Sequence, residues 1–195
     1  MVTRYFNYCI NERSRLDHGI IGGYLFYDRI VKNYLSAYLS SQHESNETLA
    51  LSNFYYKGKH FCSDQLPLFS YVADCIMAHN IWRQSEETKE LYKEYLLDTF
   101  LGDSYKAVTF SSNPLLYILV LADTLEPTKV YYDLPAQEIS EAIEIEYSPG
   151  SHTITFSSQS AVIDIKTLHR KAKGLEDWTS VRCSELNCGK FTLHI

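Results

Sequence analysis

This 195-residue chain lacks an excess of basic charge: its formal net charge is −6. Binding to a nucleic-acid duplex regardless of sequence rests on neutralising phosphates, so no such partner is expected. Paired cysteines are lacking as well. The five present, Cys9, Cys62, Cys75, Cys183 and Cys188, are odd in number and scattered. Cys183 and Cys188 have the loop of a zinc knot but no second pair, which argues against one. Cys75 lies in an apolar run and reads as a buried thiol. Long hydrophobic runs are missing: LLYILVLA, 115–122, is far too short to span a bilayer. MVTRYFNYCINERSR at the start does not have the form of a signal peptide. A reduced, cytoplasmic setting without a membrane is therefore expected. A Walker-type phosphate loop, a GxSxG elbow and HExxH are absent too, and GIIGG lacks the spacing of a dinucleotide fingerprint.

What is present suits an ordinary globular protein: 45% hydrophobic and 22% charged residues. The length fits one domain, or one with a small appendage. Sixteen tyrosines are many. They combine apolar area with a polar tip and suit helix walls, clefts and subunit contacts, so a homo-oligomer stays open.

Apolar residues recur at helical spacing from 14 to 39, and Ser14 with Asp17 has the form of a capping box. A second long helix is predicted from a cap at Ser63 or Asp64, with Pro67 in its first turn and LFSYVADCIMAHNIW along its body. Residues 85–100 form a third, amphipathic pattern. Asn113-Pro114 opens a fourth helix, LLYILVLADTL, which ends before Glu126-Pro127 and is apolar enough to run through the centre of a domain. From about 139 the pattern alternates: AIEIEY and HTITFSS flank Ser148–Ser151 as a hairpin. A helix closed by Gly174 and two last strands, TSVRCSE and KFTLHI, follow. The expected architecture is mainly α, a helical domain over 1–138 with a small α+β appendage over 139–195.

Three polar places interrupt the apolar helix pattern. His18 lies in the first turns of the first helix, His79-Asn80 in the middle of the second, and Asp123 near the end of the most apolar one. Singly, each has a bland explanation: a satisfied histidine, a helix amide, a carboxylate paired with a base, glycines 19, 22 and 23 marking close packing. Together, two imidazoles, an amide oxygen and a carboxylate from three helices are the donors that a divalent metal recruits in a bundle core. Arg83, four residues after His79, falls on the same helical face and could hold a phosphate. Glu126 follows Asp123 by three residues, and Arg15 and Asp17 flank His18.

These segments resemble the HD superfamily of metal-dependent phosphohydrolases. DHGIIGG is similar to that family's first-histidine segment, AHN to its His-Asp doublet and LADTLEP to its last-aspartate segment. The resemblance covers about 10–135 and leaves the C-terminal part aside. It implies an HD-type helical bundle in which His18, His79, Asn80 and Asp123 hold a divalent metal, whether manganese, iron, nickel, magnesium or zinc. Asp17 or Glu126 would then be a catalytic base, and Arg15 and Arg83 would bind the substrate phosphate. One departure matters: the doublet's aspartate is Asn80. An amide oxygen can ligate one metal but brings no negative charge to offset two dications. Two functional expectations follow. One is hydrolysis of a nucleotide or other phosphorylated small molecule. The alternative is a non-catalytic ligand- or metal-binding module that uses the same pocket for sensing or protein interaction. A purely structural helical protein would require all three polar placements to be accidental.

Overall fold

The computed structural model describes residues 2–42, 55–56, 59–81, 89–97, 108–160 and 163–195. The chain divides into two compact units, Met1–Phe100 and Leu101–Ile195. The boundary expected at 138/139 falls inside the second unit.

The first unit is built from helices. Helix α1 (Val2–Arg13) was not anticipated, although Tyr5, Tyr8 and Cys9 stand at helical spacing and are all buried. Ser14 then takes a left-handed conformation, φ 51°, which ends α1 and re-aims the chain. Helix α2 (His18–Gln42) consequently starts four residues later than predicted. Its cap is Asp17, whose Oδ1 accepts from the Gly19 N–H at 2.8 Å, so the expected Ser14 box is not what begins it.

A two-residue strand pair, β1 (Tyr55–Tyr56) and β2 (Lys59–His60), leads into α3 (Phe61–Ala78). Starting at Phe61, α3 holds Pro67 in its second turn rather than its first. α2 and α3 are the main packed pair of this unit. Glycine makes their closeness feasible: a Cβ on Gly23 would lie 2.7 Å from the Ala73 carbonyl oxygen. The bland reading of these glycines as packing residues therefore holds at this contact. Helix α4 (Lys89–Glu94) ends in a turn at 95–96, before the predicted end at 100; residues 85–88 lie outside the described residues. Its Tyr92 is buried edge-on against Tyr8 at 5.0 Å and donates from its hydroxyl to the Ile81 carbonyl at 2.8 Å.

In the second unit, α5 (Pro114–Leu125) begins as predicted. Asn113 caps it through Oδ1 to the Leu116 N–H, with proline at N1, where no N–H is needed. Its apolar content does not make it buried all round: Leu116, Tyr117, Val120, Leu121 and Leu125 are buried, while Ile118 and Ala122 are exposed. Short helices α6 (Pro127–Val130) and α7 (Ala136–Ala142) follow, the latter where alternation was expected to begin.

The hairpin forms as predicted from β3 (Ile143–Ser148) and β4 (Thr153–Ser158). Helix α8 (Lys166–Gly174) starts later than the apolar run implied. Gly174 keeps right-handed angles and a 3-10 turn, Leu175–Asp177, continues past it, so Gly174 does not close the helix. Strands β5 (Arg182–Cys183) and β6 (Lys190–His194) complete an antiparallel sheet of order β3-β4-β6-β5. The register puts Ile145, Phe156 and Phe191 on one face and Glu146, Thr155 and Thr192 on the other. Phe156 stacks on Phe191 at 5.1 Å, and His169 of α8 meets Phe191 edge-on at 5.2 Å, so α8 covers the β6 end of the apolar face. Among the described residues the architecture is mainly helical, with one small sheet near the C-terminus.

Candidate metal centre

His79 and Asn80 do not lie within a helix. α3 stops at Ala78, and residues 79–81 form a turn. The cause is local. His79 Nδ1 bonds the Ile76 carbonyl at 2.6 Å, while the Ile81 N–H closes a tight bond to Ala78. The imidazole thus takes up one of the last carbonyls that a continuing helix would use.

This bond also decides the tautomer. A carbonyl can only accept, so Nδ1 carries the proton and the Nε2 lone pair is the one suited to a metal. At the start of α2, His18 brings its ring to 5.2 Å from that of His79, at 69°. Gly19 makes this approach feasible: a Cβ there would meet the Ile76 oxygen at 2.8 Å and His79 Cε1 at 2.9 Å.

Asn80 is 2% exposed. Its Nδ2 donates to Asp17 Oδ1 at 3.0 Å and lies 3.1 Å from His18 Nε2. Beside a carboxylate the amide must present its N–H, which settles the orientation of the side chain. Its Oδ1 is then buried with no hydrogen-bond partner. A buried acceptor left unmade costs about 1–3 kcal/mol, and such an atom calls for an occupant. Asp17 therefore holds two donors on one oxygen, the α2 cap and the Asn80 amide.

These residues border a cavity of about 380 Å³ lined by Tyr5, Arg13, Arg15, Asp17, His18 and Asn80. Arg15 is where a phosphate-binding residue was expected. Arg13 and Tyr5 were missed, because α1 itself was not predicted. Burial, reinforced by the Asp17 charge, holds the Tyr5 phenol well above its usual range, so it stays a neutral donor. Arg83 lies outside the described residues.

Asp123 and Glu126 belong to the second unit, and each has local work there. Asp123, on α5, is mostly buried and ion-paired with Lys129. Glu126 caps α6, its Oε1 accepting from the Thr128 N–H and from its hydroxyl at 2.7 Å. Lys129 was not singled out, since a base six residues after a carboxylate is not at a same-face helical spacing. As donors, the imidazoles of His18 and His79 are of the kind that a metal ion takes.

No protein-family model, curated protein or solved structure matches this chain. The likeness to HD phosphohydrolases rests on the sequence motifs.

Proposed function

We propose that the chain binds one divalent metal ion through His18 and His79, with Asn80 Oδ1 as a neutral further ligand, and acts on the phosphate of a nucleotide or another small molecule. The observation that carries this reading is Asn80. A side chain 2% exposed keeps an acceptor without a partner, while its amide nitrogen lies 3.1 Å from His18 Nε2. The donor set of imidazole and amide fits a borderline metal such as manganese, iron, nickel or zinc, and less specifically magnesium. A bound dication would supply Lewis acidity toward a phosphoryl oxygen and would acidify a bound water. This chain's own residues do the rest. Arg13 and Arg15 line the cavity and neutralise phosphate charge. Asp17 orients Asn80 and accepts a proton only if it loosens one of its two bonds.

A second reading, a non-catalytic binding module, is favoured by the same carboxylates. Asp17 and Glu126 are both engaged as helix caps, and Asp123 is neutralised by Lys129. No carboxylate among these is poised as a strong base, and Asn80 brings no charge.

Metal analysis of protein purified without chelator, with thermal melts in manganese, nickel or ferrous iron, tests the metal site. Bound metal and a raised melting temperature are expected, both lost in His79→Ala. No metal and no shift would sink the enzymatic reading. A panel of nucleotides and phosphomonoesters then separates them: turnover by the loaded wild type and none by His79→Ala supports the enzyme, binding without turnover the module.

A further inference from the structure

Between Lys129 and Lys166 the sequence holds six acids, Asp133, Glu138, Glu141, Glu144, Glu146 and Asp164, and no lysine or arginine. This segment contains α7 and β3, and β3 is the outermost strand of its sheet. Glu144, Ile145, Glu146 and Tyr147 are all exposed, Ile145 by 51% and Tyr147 by 56%. Edge strands normally guard against pairing with charge, shortness or a bulge. Here β3 keeps six regular pairs with β4 and leaves two large apolar side chains uncovered.

The two faces of this edge differ. On one, Glu144 and Glu146 stand in a row. On the other, Ile145 and Tyr147 run into an apolar groove of about 520 Å³, whose walls include Ile118, Leu121 and Ala122 of α5 and Phe156 of β4. α8 covers the β6 end of this face, and the β3 end stays open.

We infer that β3 is a docking edge for an extended, cationic peptide segment of another protein, added as a fifth strand. Its lysines or arginines lie along the Glu144–Glu146 face, and its alternate apolar side chains enter the groove beside Ile145 and Tyr147. Backbone bonds along an open edge supply affinity, and alternate side-chain pockets supply selectivity. Charge decides the occupant. A second copy pairing β3 to β3 would set two rows of glutamates side by side on one face, and facing like charges destabilise a strand pair. A basic strand meets the same row with complementary charge.

The test uses fluorescein-labelled peptides of about seven residues, long enough to span β3, alternating lysine with valine or glutamate with valine. Fluorescence anisotropy measures their binding to the full chain, and amide shifts locate it. The lysine peptide should bind at least about tenfold tighter than the glutamate peptide, weaken as salt is raised, and shift amides of 143–148. The double substitution Glu144→Lys with Glu146→Lys should reverse the preference, a result that misfolding would not produce. Equal binding of the two peptides, an unreversed preference, or shifts confined to other elements would overturn the inference. So would a dimer in sedimentation that the double substitution changes, which would make a second copy the occupant. Neither peptide arm uses the metal, so the outcome is separate from the proposed function.

Discussion

Asn80 is held by the neighbour that would most resist its replacement by aspartate. Asn80→Asp would bring a carboxylate to about the 3.0 Å that now separates Nδ2 from Asp17 Oδ1. Two carboxylates that close cannot both ionise freely. In chelator the substitution should lower stability by about 1–3 kcal/mol, the cost of an unpaired buried polar group. A dication would relieve that repulsion, so the metal-induced rise in melting temperature should exceed that of the wild type. Paired melts in chelator and in nickel check both halves, and a smaller metal-induced rise would place Asn80 away from the metal. Asp17→Ala should cost about 1 kcal/mol through the lost cap alone and more through the abandoned Asn80 amide. Asp17→Asn keeps an acceptor for both donors and should retain most of the stability. The cysteines divide by burial: Cys188 is exposed, whereas burial pushes the Cys183 thiol up to about 11. At pH 8, iodoacetamide should modify Cys188 well before Cys183, read by peptide mass analysis.

At the scale of elements, glycine positions make the clearest contrast. Gly23→Ala drives a methyl to 2.7 Å from the Ala73 oxygen, so α2 and α3 must part, at a cost of about 1–3 kcal/mol. Gly150→Ala meets nothing within 4 Å and should be near neutral. Thermal melts of the two variants compare them directly. Several elements were legible because their signals are local. Asn113-Pro114 marks the start of α5, and alternation around Ser148–Ser151 marks the hairpin. α1 was not legible, since its buried Tyr5, Tyr8 and Cys9 stand among exposed residues that include the apolar Phe6 and Ile10 and blur the periodicity. The end of α3 was hidden for another reason. It depends on a side chain, His79, capturing a carbonyl, and periodicity carries no trace of that. The pairings of the candidate site were not legible. That Asp17 would hold Asn80, and Lys129 Asp123, are outcomes of folding that no spacing announced.

For the molecule as a whole, charge and hydropathy exclude more than they assign. Among the described residues no helix is long and apolar enough to cross a membrane. A net charge of −6 disfavours a duplex, and the one dense group of bases, Lys166, Arg170, Lys171 and Lys173, sits on a single helix, α8. Mixed-sequence duplex DNA should show no mobility shift with this protein at about 0.1 M salt, where screening already confines surface charges to about 10 Å. A salt-dependent shift would mean that the bases of α8 outweigh the net negative charge. The six acids between Lys129 and Lys166 equal the whole formal charge of the chain, so the remainder is balanced.

Gly19 contributes no atom that could bind anything, and yet it is the spacer of the candidate metal centre. The room left by its missing Cβ, 2.9 Å from His79 Cε1, sets how near α2 can bring one imidazole to the other. Ligand separation is thus written in a hydrogen atom on a neighbouring helix turn. A single added methyl at Gly19 would widen the gap and retune which ion, if any, the two histidines can share, with every ligand still in the sequence.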